Sequence, residues 1–164
     1  MQGAHRGRRR ALKVLGGAAI AGALAGRLAW PARALAQAAA PPWNKEAFAG
    51  KTVDDVLRAM GATNATPTKD VAWGSTPEIA ENGAVVPVSV TSRIGDTVAI
   101  ALIIEKNPNK LAANFQFPDG TAPTLTTRVK IGESSNVYAL IRTKDARFFL
   151  ATREIKVTLG GCGG

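Results

Sequence analysis

Histidine and cysteine are almost absent from this chain of 164 residues, which has one of each, His5 and Cys162. Without a second cysteine, the chain can form neither an internal disulfide nor a C-x-x-C redox pair. The phosphate-binding pattern G-x-x-x-x-G-K-[ST] and a dinucleotide-binding G-x-G-x-x-G after a strand are missing too. The sequence therefore offers no recognisable nucleotide or cofactor site.

Acidic residues are missing before Glu46, whereas basic residues are frequent there. The whole chain has 21 Lys and Arg against 12 Asp and Glu, a net charge of +9. Seven of the basic residues lie within 1–36: Arg6, Arg8, Arg9, Arg10, Lys13, Arg27 and Arg33. Without that segment 14 basic and 12 acidic residues remain. The charge therefore belongs mainly to the N-terminal segment and does not indicate nucleic-acid binding.

Residues 1–36 have the features of an export signal. GRRRALK at 7–13 resembles a twin-arginine motif, a Gly/Ala-rich apolar stretch follows at 14–26, and Ala34-Leu35-Ala36 matches the A-x-A cleavage pattern. The apolar stretch is shorter than the roughly 20 residues that span a bilayer. We expect a twin-arginine signal peptide, a periplasmic protein, and export in the folded state with a partner bound. An uncleaved interfacial anchor or a disordered basic arm is the alternative.

Removing residues 1–36 also removes His5. A mature chain without histidine cannot form a Ser-His-Asp triad, a Cys-His pair, a His-ligated zinc site or a blue-copper centre. Most enzyme classes are thereby excluded, and we expect neither a metal nor another cofactor.

Residues 37–159 have the length of one domain. Asn44 is expected to cap a short helix over 45–50, and Thr52 a second helix whose apolar residues recur at helical spacing up to Gly61. Further on, β-rich runs alternate with turn residues, which predicts strands at 71–73, 84–92, 97–106, 111–117, 121–131, 136–143 and 147–159. Pro87 indicates an edge position or a bulge. The pattern predicts an immunoglobulin-like antiparallel β-sandwich with short N-terminal helices. The apolar run at 98–104 suggests more burial than one small sandwich needs.

The segment 160–164, Gly160-Gly161-Cys162-Gly163-Gly164, places the single thiol between two pairs of glycines. Glycine adds backbone freedom and removes steric width, so we expect a flexible arm that reaches about 17 Å beyond the last strand. Leu159 is predicted to be the last residue held by the sheet. The reactive group is therefore expected to be Cys162, on an arm that other proteins can receive.

Four stretches of the chain resemble the SoxY family, the sulfur-carrier subunit of bacterial thiosulfate oxidation. They are ENGAVVPV at 81–88, EKNP at 105–108, TRVK at 127–130 and IKVTLGGCGG at 155–164. The resemblance runs from about residue 43 to 164. Asn109 departs from the family, which often has proline there; this concerns a turn.

The resemblance implies a carrier that is not itself an enzyme and that binds a smaller SoxZ subunit as a heterodimer. It also implies that a haem protein joins thiosulfate to Cys162, that a metal-dependent hydrolase releases sulfate, and that in some organisms a molybdenum enzyme oxidises the remaining sulfane sulfur. Gly160, Gly161, Gly163 and Gly164 would form the tether.

Two other functions stay open at this point. Since an unpaired cysteine in an exported protein often bridges two chains, Cys162 is also compatible with a disulfide-linked homodimer. An independent enzyme or a thiol metal chaperone is the other alternative; the missing histidine and second cysteine disfavour it.

Overall fold

Two short helices precede nine strands in residues 44–159, the part of the chain that this computed structural model describes. The elements are α1 (Lys45–Ala49), α2 (Val53–Ala59), β1 (Thr66–Pro67), β2 (Val71–Ala72), β3 (Ile79–Asn82), β4 (Val86–Ser92), β5 (Thr97–Ile104), β6 (Leu111–Gln116), β7 (Thr124–Val129), β8 (Ser135–Thr143) and β9 (Phe148–Leu159). The predicted signal peptide and the predicted arm lie outside the described residues.

Both helices begin at the predicted caps. The Asn44 side chain accepts a hydrogen bond from the backbone N–H of Ala47 at 3.0 Å. At α2 the Thr52 hydroxyl accepts from the Asp55 N–H, and the Asp55 carboxylate accepts from the Thr52 N–H, both at 3.0 Å. This reciprocal capping box satisfies backbone donors that have no partner inside the helix.

The strands form two packed sheets. The larger sheet has the order β1-β9-β8-β5-β6, with β3 also paired to β9, and the smaller sheet has the order β2-β4-β7. Between the sheets lies a core built from alternate residues of facing strands, such as Val88 and Val90 of β4 and Ile100 and Leu102 of β5. This arrangement confirms the predicted immunoglobulin-like sandwich.

The opposite face of the larger sheet carries the two helices. Ala101 and Ile103 of β5 and Leu140 of β8 form a second buried cluster with Ala47 of α1 and Val56 of α2. Strand β5 is thus buried on both faces, which accounts for the apolar run at 98–104. The burial that this run indicated is supplied by the helices of the same chain.

Two short strands, β1 and β3, were not predicted from the sequence. Both pair with β9 in parallel, β1 beside Phe149 and Leu150 and β3 beside the last residues of β9. The other strand pairs are antiparallel, as predicted. The outer edge of β9 is therefore covered by two separate pieces of chain rather than by one long strand.

Pro87 occupies the edge position that the sequence predicts. Strand β4 pairs with β7 throughout, but with β2 only at Thr91 and Ser92. Next to Pro87 along this open edge, the Thr76 hydroxyl replaces a strand: it accepts from the Ser89 N–H at 2.8 Å and donates to the Ser89 carbonyl at 3.1 Å. The missing N–H of proline costs no ladder hydrogen bond at such an edge.

Candidate functional site: the base of the C-terminal arm

The predicted site residues Cys162, Gly160, Gly161, Gly163 and Gly164 lie outside the described residues. The structure does describe the strand that leads to them, and Leu159 is still paired with Asn82 of β3. The site can therefore be built up from the end of β9, where the predicted arm begins.

The last four residues of β9 are not paired with β8. Strand β8 begins at Ser135, which pairs with Ile155, so that residues 156–159 extend beyond it. On the other side β3 pairs with Lys156, Val157 and Leu159, and the Thr158 hydroxyl donates to the Glu81 carbonyl at 3.2 Å. Strand β3 is consequently the main support of the arm's base.

On the side that β8 has left, Ser134 takes the place of a strand. Its hydroxyl accepts a hydrogen bond from the Val157 N–H at 2.9 Å and lies 3.5 Å from the Val157 carbonyl, to which it donates. Val157 also packs against the core between the sheets. One serine thus satisfies a backbone donor that would otherwise lack a partner. Residues 132–134 lie between two predicted strands, but nothing in the sequence indicates this contact.

The turn that carries Ser134 is held by Asn107. The Asn107 amide donates to the Lys130 carbonyl at 2.6 Å, and its oxygen accepts from the Gly132 N–H at 3.0 Å. A single side chain therefore links the turn after β5 to the connection between β7 and β8.

The β3–β4 turn completes the base. The Asn82 side chain accepts from the Ala84 N–H at 2.8 Å, and the Gly83 carbonyl accepts from the Ile131 N–H at 2.8 Å. The stretches 81–88, 105–108 and 127–130, which carry the resemblance, are thus brought together by hydrogen bonds around the end of β9. Their separation in the sequence hid this shared location.

Glu105, the first residue of the 105–108 stretch, accepts hydrogen bonds from the Asn136 amide at 2.8 Å and from the Tyr138 hydroxyl at 3.2 Å. Burial raises the pKa of Tyr138 above its ordinary value, and the nearby Glu105 carboxylate raises it further. Tyr138 therefore remains a neutral hydrogen-bond donor at physiological pH. These bonds fix the beginning of β8 against the end of β5.

Charges of both signs surround the base of the arm. Lys106 lies 4.0 Å from Glu133, and the Arg153 guanidinium lies 3.6 Å from the Glu78 carboxylate. Lys156 shares with Glu78 and Arg153 a cleft of about 340 Å³. The Lys106–Glu133 pair is exposed and contributes little to stability, whereas Arg153 is partly buried beside the exposed Glu78. The local field therefore has no single dominant sign.

Within residues 44–159 there is no group of three or more His, Cys, Asp or Glu side chains that could hold a metal ion. None of the helices in this range is long and apolar enough to cross a membrane.

The family model for sulfur oxidation protein SoxY matches residues 57–162 of the chain. Among solved structures, the sulfur carrier protein SoxY from Chlorobium limicola f. thiosulfatophilum has 26% sequence identity and a TM-score of 0.57. That match covers 65% of this chain and 94% of the other.

A protein from Thermotoga maritima provisionally assigned as a superoxide reductase matches with 17% identity and a TM-score of 0.50, over 58% of this chain and 95% of its own. At that identity the likeness concerns the fold alone. The curated protein sequences contain no significant match.

The family match extends through β9 and ends at Cys162. It covers the end of α2, both sheets and every contact described above at the base of the arm. The chain belongs to the SoxY family of sulfur oxidation proteins.

Proposed function

We propose that this protein is a covalent carrier of sulfur intermediates in thiosulfate oxidation, with Cys162 as the attachment site. The observation that carries the proposal is the family match, which ends at Cys162 itself. The relative from Chlorobium limicola, described as a sulfur carrier protein, supports the same role.

The chemistry assigned to Cys162 requires a thiolate and an external electron acceptor. The thiolate sulfur and the outer sulfur of thiosulfate form a disulfide bond, and two electrons pass to a haem-containing conjugating enzyme. Water then attacks the terminal sulfonate in a metal-dependent hydrolase, which releases sulfate and leaves a persulfide on Cys162. A molybdenum sulfane dehydrogenase, where present, oxidises that sulfur. The carrier holds each intermediate and catalyses none of these steps.

The base of the arm suits this role because it is anchored on two sides. Strand β3 and Ser134 hold the last residues of β9 at a defined place on the surface. Beyond Leu159, Gly160 and Gly161 precede Cys162, and Gly163 and Gly164 follow it. A chain this narrow fits into active sites that exclude bulkier segments.

We further propose a SoxZ-like subunit as the partner in a heterodimer, and a periplasmic location reached by the twin-arginine route. The basic segment 1–36 with its paired arginines supports the route.

The mass of the intact exported protein tests the carrier function. In cells grown with thiosulfate, we expect additions of sulfur or thiosulfate that map to the C-terminal peptide and disappear on mild reduction. Cys162→Ser should abolish these additions and thiosulfate turnover by the assembled pathway, while the unfolding curve stays unchanged. A protein isolated only as unmodified thiol or as a Cys162 disulfide dimer would contradict the proposal and favour a structural role.

A further inference from the structure

Any enzyme that reacts with Cys162 must contact the carrier close to Leu159. Cys162 follows Leu159 by three residues, so the two Cα atoms are at most about 11 Å apart. The inference that follows from this distance rests on the proposed function, in which enzymes take Cys162 into their own active sites. The surface around the end of β9 is therefore the surface on which such enzymes must dock.

Among the side chains of residues 44–158, the large apolar ones that are exposed are Ile79 and Val85, with 60% and 56% of their surface accessible. Ile79 is the register partner of Lys156, three residues before Leu159. Val85 follows Asn82, the register partner of Leu159, by three residues. From the strand rise and spacing, both lie within about 16 Å of the Leu159 Cα.

Exposed apolar residues occur singly on most protein surfaces, so exposure alone is not the argument. Ile79 and Val85 are distinguished by their position, because both side chains lie where an enzyme must approach to receive the arm. The charges nearby are of both signs, with Lys156 and Arg153 beside Glu78 and Glu154. Recognition at this place therefore cannot depend on a single sign of charge.

We propose that Ile79 and Val85, here called the arm-root patch, form the docking site for the enzymes that act on Cys162. The partner that fits this patch is an enzyme whose active-site entrance presents apolar side chains. Because every such enzyme must receive the same short arm, all of them use the same patch. Their binding to one carrier molecule is consequently mutually exclusive.

Competition between carrier variants tests the docking site. The Cys162→Ser carrier cannot accept sulfur but keeps the arm-root patch, so it should inhibit the loading of wild-type carrier by the haem-containing conjugating enzyme. The assay mixes that enzyme, thiosulfate and wild-type carrier, and follows the adduct on Cys162 by mass spectrometry. Adding Ile79→Glu and Val85→Glu to the Cys162→Ser carrier should weaken its inhibition by at least about tenfold, as expected for removal of apolar anchors at an interface.

The matched control is Ala122→Glu in the Cys162→Ser background. Ala122 is exposed and precedes β7, whose first residue Thr124 pairs with Thr91 at the opposite end of β4 from the arm. This control should inhibit as strongly as Cys162→Ser alone. Because Ile79 and Val85 are exposed, the glutamate variants are expected to keep the wild-type unfolding curve.

Two outcomes would overturn the docking site. The first is equal inhibition by Cys162→Ser carriers with and without the Ile79→Glu and Val85→Glu substitutions. The second is loss of the heterodimer with the smaller subunit, seen by size-exclusion chromatography of the glutamate variants, which would assign the patch to the subunit interface. A wild-type carrier that gains no adduct at all would instead refute the proposed function itself, whereas equal inhibition together with normal loading of the wild type refutes only the docking site.

Discussion

Single polar side chains replace missing strands at two places in this protein. Thr76 binds the open edge of β4 at Ser89, and Ser134 binds the free side of β9 at Val157. In each case one hydroxyl satisfies backbone groups that a neighbouring strand would otherwise bind. Ser134 matters more for function, because Val157 lies two residues before the end of the described strand.

We expect Ser134→Ala to loosen the base of the arm. The Val157 N–H, half-buried beside the core, loses its acceptor, at a cost of about 1–2 kcal/mol in the free energy of unfolding. Urea unfolding measures that cost, and amide exchange at Val157 should accelerate. Ser75→Ala, at an exposed serine, is the control and should leave both unchanged. Wild-type exchange at Val157 in Ser134→Ala would show that β3 alone holds the strand.

Asp55 gives the stability of the protein a dependence on acid pH. Hydrogen bonds with Thr52, through its side chain and then its backbone, hold the pKa of Asp55 below its ordinary value. A carboxylate with a lowered folded-state pKa stabilises the fold above its unfolded pKa, near 3.9, and this contribution is lost as the pH falls through the folded pKa. Asp55→Asn should therefore be less stable than wild type at pH 7, and the difference should shrink below pH 4.

Urea midpoints of Asp55→Asn and wild type at pH 7 and pH 3 measure this effect. Asp54→Asn, on the same helical turn but outside the capping box, is the matched control. A constant difference between Asp55→Asn and wild type at both pH values would contradict the linkage.

At the scale of elements, β5 contributes to both layers of the core, as β8 also does through Ile141 and Leu140. Ile100 and Leu102 face the smaller sheet, while Ala101 and Ile103 face the helices. A helix of five or seven residues is unstable alone in water, so α1 and α2 depend on this contact for their stability. The helices in turn keep one face of β5 out of water.

Ile103→Ala tests whether the helical layer is a full part of the core. Ile103 is completely buried, so its truncation should lower the free energy of unfolding by about 2–5 kcal/mol, in the same range as Ile100→Ala between the sheets. Chemical denaturation of the two variants gives the comparison, and Ile79→Ala, at an exposed position, should change stability by less than about 0.5 kcal/mol. A cost below about 1 kcal/mol for Ile103→Ala would mean that the helices pack only loosely on the sheet.

At the scale of the whole molecule, the sequence predicted the longer strands, both helix caps and the sandwich, because each rests on a local pattern. Strands β1 and β3 were missed for a physical reason. They have two and four residues, with one buried side chain, Ala80, between them, so no alternation marks them. Their pairing with β9 depends on residues more than 70 positions away, which a local pattern does not record.

The candidate site likewise has a part that the sequence predicted and a part that it did not. A glycine-flanked cysteine is visible in the sequence without any structure, whereas the support of its strand by Ser134 and Asn107 arises from contacts distant along the chain. The resemblance included three of the stretches that meet there, but the sequence did not show that they lie together. Their shared location is shown by the hydrogen bonds around the end of β9.

The position of β9 in the larger sheet also sets an order on biosynthesis. This strand lies between β8 and the pair β1 and β3. These three earlier segments therefore lack their neighbour in the sheet until β9 has been made. The ribosome makes residues 148–159 after all of them, and the sheet stays split until those residues emerge. A nascent chain that stops before β9 is left with exposed strand edges and is a target for proteolysis.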